Sequence, residues 1–189
     1  MLTALLVVAF GVVPVGLYFW REHKLSTPSL QWPTLGKILN LQFADSPARL
    51  EGNWNGRELR FEASAAGGVR AVAKLNAATR LRVECGEKDL VTRRAGTLVP
   101  DPVEPILPEF RDRLLARCSE KAAGPVVFDE AMQHRLAGMP EVDFVGQATA
   151  VTWTLSALKD PDTAESVMGA LCAVADALEG YPQGGKPLA

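Results

Sequence analysis

The fold of this chain can be predicted from Ala48 to Ser64, ARLEGNWNGRELRFEAS. Asn55-Gly56 lies between two alternating segments and can supply the two positive-φ positions of a type I′ turn, whose twist matches the flanking strands. Side chains alternate across a strand, so we expect Leu50 and Trp54 to share one face of the first strand. The stretch therefore predicts a β-hairpin.

Two further strands are predicted directly after this hairpin. Gly67-Gly68 marks another turn, and the segments 69–75 and 79–85 both alternate apolar residues with charged ones. Such alternation is typical of antiparallel strands with one face in water. We expect an antiparallel meander with the hairpin as its first half.

The region after the meander contains a proline-rich segment and a predicted helix. Residues 97–108, TLVPDPVEPILP, hold four prolines in twelve residues, which excludes a regular helix or a central strand. We predict an extended loop with polyproline II character, and we interpret it either as a contact for a partner protein or as a plain connection. Glu109 to Ala122 follows with an apolar stripe at helical spacing.

The C-terminal third is predicted to contain two strands and a helix. Residues 126–138, VVFDEAMQHRLAG, fit either a helix or a strand, and we favour the strand. Residues 148–158 are rich in β-branched and aromatic side chains and predict a strand. Asp160-Pro161 then begins a long amphipathic helix that ends near Gly180.

The N-terminal segment Leu2 to Trp20, LTALLVVAFGVVPVGLYFW, is nineteen residues long and contains no charge. At about 1.5 Å of rise per residue, a helix of this length covers the roughly 30 Å of a bilayer core, so we predict a transmembrane anchor. The fold class expected is α+β: this anchor, then an antiparallel sheet packed by two or three helices. The predicted organisation is an anchor (1–20), a tether (21–34), a soluble α+β domain (35–180) and a tail (181–189).

Charge and cysteine content indicate where the domain would lie. Arg21, Lys24 and Lys37 all follow the apolar segment, which predicts an inner-membrane protein with its N-terminus outside and its domain in the cytoplasm. The three cysteines are an odd number, which suits a reducing compartment. The net charge of −2, with both signs mixed along the chain, predicts no nucleic-acid partner.

No catalytic or metal-binding motif is present in the sequence. Asp129 and Glu130 lie near His134, yet a surface cluster explains them better than an acid and base pair, and there is no GxSxG, P-loop, CxxC or HExxH. We therefore predict a protein that is not an enzyme, with no catalytic, cofactor or metal site and no cofactor. A deep pocket formed by Trp54, Trp153 and His134 would instead favour ligand binding.

A few positions carry a resemblance to known proteins. The pattern resembles a loose class of uncharacterised bacterial membrane-anchored α+β domains in its turn glycines and final amphipathic helix; the residues are Leu50, Gly52, Gly56-Arg57, Phe128-Asp129 and Gly138. The resemblance implies a fold for residues 45 to 180. It implies no activity.

Two functional hypotheses follow from the sequence. In the first, the chain is a non-catalytic accessory subunit of a respiratory or photosynthetic membrane complex, with the 2–20 helix in contact with lipid and with other integral membrane subunits. In the second, the domain is a membrane-tethered ligand-binding or regulatory module.

Overall fold

The computed structural model describes residue 15 and residues 28–64, 67–94 and 100–182. One antiparallel sheet contains the strands of these ranges, which are β1 (Gln42–Asp45), β2 (Ala48–Trp54), β3 (Arg57–Ala63), β4 (Val69–Glu87), β5 (Asp101–Pro102), β6 (Leu114–Cys118) and β7 (Asp143–Leu155). From residue 28 onward, the described helices are α1 (Pro28–Leu39), α2 (Lys88–Arg93), α3 (Pro108–Arg113), α4 (Gly124–Val127), α5 (Glu130–Ala137) and α6 (Pro161–Gly180).

Strand β4 is the centre of the sheet. The strand order is β1-β2-β3-β4-β6-β5, and β7 also pairs with β4. The first half of β4 pairs with β3 and the second half with β6, whereas β7 pairs with both halves. Each neighbour runs antiparallel to it, as the alternation in the sequence predicts.

Strand β4 replaces the two separate strands predicted for residues 69–75 and 79–85. Its register against β7 shifts twice, between Lys74 and Thr79 and between Thr79 and Arg82. On the partner strand, Ala148 has a φ of +51°, in the left-handed region. Irregularities of this kind bend a strand and let it stay in one sheet over a long span.

The hairpin of β2 and β3 forms as the sequence predicts. Asn55 and Gly56 have φ values of +50° and +76°, which a type I′ turn requires at both central positions. Leu50 pairs with Phe61, and both side chains are fully buried. The predicted apolar face therefore lies in the core.

The long helix α6 covers the apolar face of the sheet, where it packs on β4 and β7. Asp160 caps its first turn, and the stripe of Val167, Leu171 and Leu178 is buried. A Cβ at Gly146 of β7 would lie 2.9 Å from the side chain of Leu178. Glycine there lets the helix approach the sheet closely.

Two predicted elements between the proline-rich loop and β7 are wrong. The helix expected over 109–122 is a short helix, α3, followed by strand β6, because Leu114, Ala116 and Cys118 are buried at every second position. The segment 126–138, which we predict as a strand, lies in helices α4 and α5 instead. Asp129 begins α5 by accepting a hydrogen bond from the amide of Met132 at 2.8 Å.

The membrane-spanning helix of the predicted architecture is contradicted. Among the residues that the structure describes, no helix is long and apolar enough to cross a bilayer. The single-pass inner-membrane localisation that depended on such a helix is therefore not supported. Except for residue 15, the segment 2–20 where the helix is predicted lies outside the described residues, as do residues 21–27 of the tether and residues 183–189 of the tail. The α+β class and the antiparallel sheet agree with the prediction.

The described part of the proline-rich loop is held by the domain itself. Asp101 and Pro102 pair with β6. The fully buried Gln133 accepts hydrogen bonds from the amides of Ile106 and Leu107 at 2.8 and 3.1 Å. A contact of residues 97–108 with another protein stays a prediction.

Candidate functional site

Asp129, Glu130 and His134, which lie close together in the sequence, either cap a helix or face solvent. Asp129 caps α5, while Glu130 and His134 on the same helix are exposed. An acyl-transfer site requires a base hydrogen-bonded to a nucleophile, whereas the exposed His134 lies in the last turn of α5, and in the described residues no serine or cysteine is hydrogen-bonded to its imidazole. This helix therefore supplies no recognisable catalytic arrangement.

The three cysteines are packing residues. Cys85, Cys118 and Cys172 are free thiols and all are buried. Burial raises the pKa of each thiol above its ordinary value, which disfavours the reactive thiolate. Within the described ranges, no group of His, Cys, Asp and Glu side chains could hold a metal ion.

The pocket imagined for Trp54, Trp153 and His134 does not form. Trp153 is fully buried and stacks on Phe144 with ring centroids 5.1 Å apart. Trp54 lies at the end of β2, where its carbonyl accepts a hydrogen bond from the thiol of Cys172 at 3.9 Å. His134 is exposed on α5. The three side chains are part of separate local environments.

A cleft that no sequence pattern predicts lies at the beginning of α6. We call it the α6 cleft; its volume is about 410 Å³, within the range of roughly 300–1,000 Å³ that small-molecule sites occupy. Two parts of the chain that β7 separates form its walls: the connection from α5 to β7, and the connection from β7 to α6 together with the first turns of α6. The lining residues are Gly138, Met139, Pro140, Glu141, Leu155, Ser156, Ala157, Lys159, Asp160, Asp162, Thr163, Ser166 and Val167.

The α6 cleft combines an apolar base with polar edges. Met139, Leu155 and Val167 are buried and belong to the hydrophobic core. Asp162 and Ser166 are exposed at the edge, where carboxylate and hydroxyl groups can exchange hydrogen bonds with a ligand. Binding sites for small molecules commonly have this mixed character.

The wall at the start of α6 is fixed by helix capping. The carboxylate of Asp160 accepts a hydrogen bond from the amide of Thr163 at 2.7 Å and another from its hydroxyl at 2.8 Å. Pro161 follows in the first turn, where its lack of an amide hydrogen costs nothing. These contacts stabilise the first turn of α6, which forms this edge of the cleft.

The opposite wall is fixed by a carboxylate that we call the Glu141 clasp. Glu141 accepts hydrogen bonds from the amide of Ser156 at 2.8 Å and from its hydroxyl at 3.0 Å. Arg113 donates to the carbonyls of Leu136 and Met139 at 3.0 and 2.5 Å, which orders the segment before Glu141. The cleft is therefore largely preformed.

Two smaller clefts adjoin the α6 cleft at the same end of the sheet. The Leu90 cleft has a volume of about 370 Å³ and shares Glu141, Leu155 and Ser156 with the α6 cleft. The Trp32 cleft has a volume of about 220 Å³ and shares Ser156 and Ala157 with it. Ser156 thus lies where the three clefts meet.

The strongest electrostatic feature lies near the other end of α6 and stabilises the fold. Arg57 is buried and donates two hydrogen bonds to the carboxylate of Glu179 at 3.0 and 2.8 Å, one to Asp176 at 2.7 Å and one to the carbonyl of Lys74 at 2.9 Å. The hydrogen bonds with Arg57 lower the pKa of Glu179 to about 2, and those with Glu179 raise the pKa of Arg57. Glu179 also accepts from the amides of Asn76 and Ala77 in the irregular part of β4.

The comparisons with known proteins identify a fold neighbour. No protein family and no curated protein matches the chain. A crystal structure of the mycobacterial trehalose monomycolate transport factor A shares its fold, with a TM-score of 0.66 over 84% of this chain and 98% of that chain. The identity is 9%, so the likeness shows the fold alone.

This likeness overturns the predicted role in a respiratory or photosynthetic complex. The solved protein reported above is named as a transport factor and not as a subunit of either kind of complex. In addition, none of the helices in the described ranges is long and apolar enough to cross a bilayer. The accessory-subunit prediction is therefore wrong.

Proposed function

We propose that this chain is a non-catalytic transport factor that binds a hydroxylated ligand in the α6 cleft. The observation that carries the proposal is the cleft itself, which is preformed and has an apolar base and an edge of carboxylate and hydroxyl groups. The transport role is suggested by the shared fold, which extends over nearly the whole of the solved transport factor.

The chemistry of the lining favours a neutral polyhydroxylated ligand. The ionisable lining residues are Glu141, Lys159, Asp160 and Asp162, so carboxylates outnumber the cation. A strongly anionic ligand would meet repulsion there, whereas hydroxyl groups can donate to carboxylates and accept from Ser166.

Binding without reaction is favoured by the state of the polar groups. The carboxylates of Glu141 and Asp160 already accept hydrogen bonds from Ser156 and Thr163. Each hydroxyl donates to a carboxylate, and within the described ranges neither is hydrogen-bonded to a histidine or lysine that could activate it as a nucleophile. These groups fix the shape of the cleft, and the proposal requires no bond to be made or broken.

The test is a binding titration of the purified full-length chain with trehalose by isothermal calorimetry and by NMR. Ser166→Trp would place an indole in the cleft and should weaken binding at least about tenfold. Glu165→Trp is the matched control, because Glu165 precedes Ser166 on α6, is exposed and does not line the cleft. The control should bind as the unmodified chain does.

Two results would overturn the proposal. One is the absence of saturable binding to trehalose and to a panel of other neutral polyols. The other is equal binding by the Ser166→Trp and Glu165→Trp variants, which would place the ligand elsewhere. Mass spectrometry of the ligand after incubation tests the non-catalytic part, since a converted product would contradict it.

A further inference from the structure

A groove that shares no lining residue with the three clefts lies at the edge of strand β6. We call it the β6 groove, and its volume is about 290 Å³. It lies beyond the pairing of β5 with β6, where the proline-rich loop leaves the edge of the sheet. The exposed Pro102 and the half-buried Pro105 and Leu115 form apolar walls, and the buried Phe110 lies beneath them. These walls give a partner apolar surface to contact.

An exposed aliphatic side chain lies directly beside this groove. Ile106 follows Pro105 in the chain, is 57% exposed and does not line the groove itself. Its amide donates to the side chain of Gln133, which in turn donates to the carbonyl of Phe128 at 2.8 Å. The backbone that carries Ile106 is therefore held in place, so a contact through this side chain requires little further ordering. We call it the Ile106 knob.

The charges around the knob and those around the groove differ in sign. Glu104 and Glu109 are exposed on either side of the knob along the chain, and we call them the acidic flanks. Lys88 and Arg111 are exposed and line the groove, and we call them the basic rim. Within the part of the chain that the structure describes, Lys88 and both flanks form no ion pair, and Arg111 has a contact of 3.5 Å with the exposed Asp112. A knob with acidic flanks thus complements a groove with a basic rim.

The knob and the groove lie on one surface of the chain. Pro105 lines the groove and Ile106 is the next residue, so the two features are adjacent. In a two-fold symmetric dimer the same patch of both copies is in contact, and every contact occurs twice. A patch that contains a knob and a matching groove side by side satisfies this requirement.

From this arrangement we infer that a second copy of this chain covers the β6 groove. The Ile106 knob of each copy lies in the groove of the other, and the acidic flanks of each copy face the basic rim of the other. A small molecule in the groove would leave Ile106 in water and the acidic flanks unmatched, whereas a second copy covers all three features. The dimer goes beyond the proposed function, because its contact surface uses no residue of the α6 cleft.

The first experiment is analytical ultracentrifugation of the purified full-length chain from about 1 μM to about 1 mM, a range that also detects weak association. We expect a reversible equilibrium between monomer and dimer. Ile106→Asp should raise the dissociation constant at least about thirtyfold, because each dimer loses two buried aliphatic side chains. Ile38→Asp is the matched control, because Ile38 is 58% exposed and does not line the groove. The control should dimerise as the parent does.

Charge reversal tests which surfaces face each other. One variant carries Glu104→Lys and Glu109→Lys, so its flanks and rim are both positive, and the other carries Lys88→Glu and Arg111→Glu, so both are negative. Each variant alone should dimerise at least about tenfold more weakly than the parent, because like charges then meet in both contacts. An equimolar mixture should form a heterodimer with nearly the parent's affinity, since opposite charges meet again in both contacts. All four side chains are exposed, so the core is unchanged.

Three results would overturn the inference. One is a chain that remains monomeric over the whole concentration range, which would leave the groove to another occupant. Another is a dimer that Ile106→Asp and Ile38→Asp weaken equally, and the third is a mixture of the two charge variants that associates no better than either alone. Trehalose binding by Ile106→Asp should equal that of the parent, so a failure of the dimer leaves the proposed function to its own test.

Discussion

Replacing Glu179 by Gln should destabilise the chain by about 3 kcal/mol at neutral pH. The side chain of Glu179 is 18% exposed and forms a two-point pair with Arg57, whose side chain is 4% exposed. The lowering of the carboxyl pKa from 4.5 to about 2 corresponds to about 3 kcal/mol. Loss of one partner from a buried pair costs a similar amount, roughly 3–5 kcal/mol.

The effect of Glu179→Gln should depend on pH with a defined sign. The pKa of Glu179 is lower in the folded state than in the unfolded state, so its contribution is complete above the unfolded value of 4.5. The contribution is lost as the pH falls towards the folded value of about 2. We expect the difference between the two proteins to shrink to about 1 kcal/mol at about pH 3.

The assay is urea denaturation of both proteins at neutral and at acidic pH. Asp176→Asn is the matched control: it removes another carboxylate from the same guanidinium, but Asp176 is 71% exposed, so it should cost at most about 1 kcal/mol. The amide oxygen of glutamine can still accept from Asn76 and Ala77, so the comparison isolates the charge. A Glu179→Gln variant within about 0.5 kcal/mol of the parent, or a difference that stays constant with pH, would refute the reasoning.

Three further predictions concern the turn, the loop and the thiols. Gly68→Ala should lower the free energy of unfolding by about 1–3 kcal/mol more than Gly67→Ala does, as measured by thermal unfolding. Both glycines have a positive φ, but only at Gly68 would an added Cβ lie 2.5 Å from the carbonyl oxygen of Leu155. Equal losses of stability in the two variants would contradict this. Gln133→Leu should lower the free energy of unfolding by about 2–3 kcal/mol, since it leaves the amides of Ile106 and Leu107 without their acceptor. It should also speed proteolysis within residues 100–107. An unchanged cleavage rate would count against this role of Gln133. Cys85 should resist thiol reagents in the folded chain and react after unfolding, because burial raises its pKa; rapid labelling of the native protein would show that the site opens.

The elements predicted correctly from the sequence are those whose signals are local. Asn55-Gly56 sets the hairpin turn wherever the rest of the chain lies. Helix α6 carries its own cap at Asp160 and a stripe of buried residues at helical spacing. Neither depends on a partner distant in sequence.

The wrong predictions concern segments whose conformation depends on distant pairing. Leu114 and Cys118 fit a helical stripe as well as an alternating one, and pairing with β4, where Glu84 lies opposite Arg117, decides for the strand. Over residues 126–138 a local signal did exist, because Asp129 can cap the helix that contains Met132. That segment is too short for periodicity alone to decide.

The candidate site could not be predicted from the sequence, because its contacts also join residues that are distant along the chain. The Glu141 clasp joins two residues on opposite sides of β7, and Gln31 reaches Lys159 from α1. Arg57 likewise follows a turn, where a charged residue is expected in water, yet its partners lie on α6. No spacing rule within one segment predicts such contacts.

Helix α6 links the α6 cleft to the ion pair of Arg57 and Glu179, because its first turn lines the cleft and its last turn contains Glu179. Its 20 residues separate these ends by about 30 Å. If α6 serves as a rigid scaffold, Glu179→Gln should lower the free energy of unfolding without changing ligand affinity under conditions where the chain remains folded. A parallel loss of both would mean that the Arg57 pair also sets the position of the cleft wall, so that α6 transmits the change along its length. Affinity and stability measured on the same variant therefore distinguish a preformed cleft from one that the far end of the helix controls.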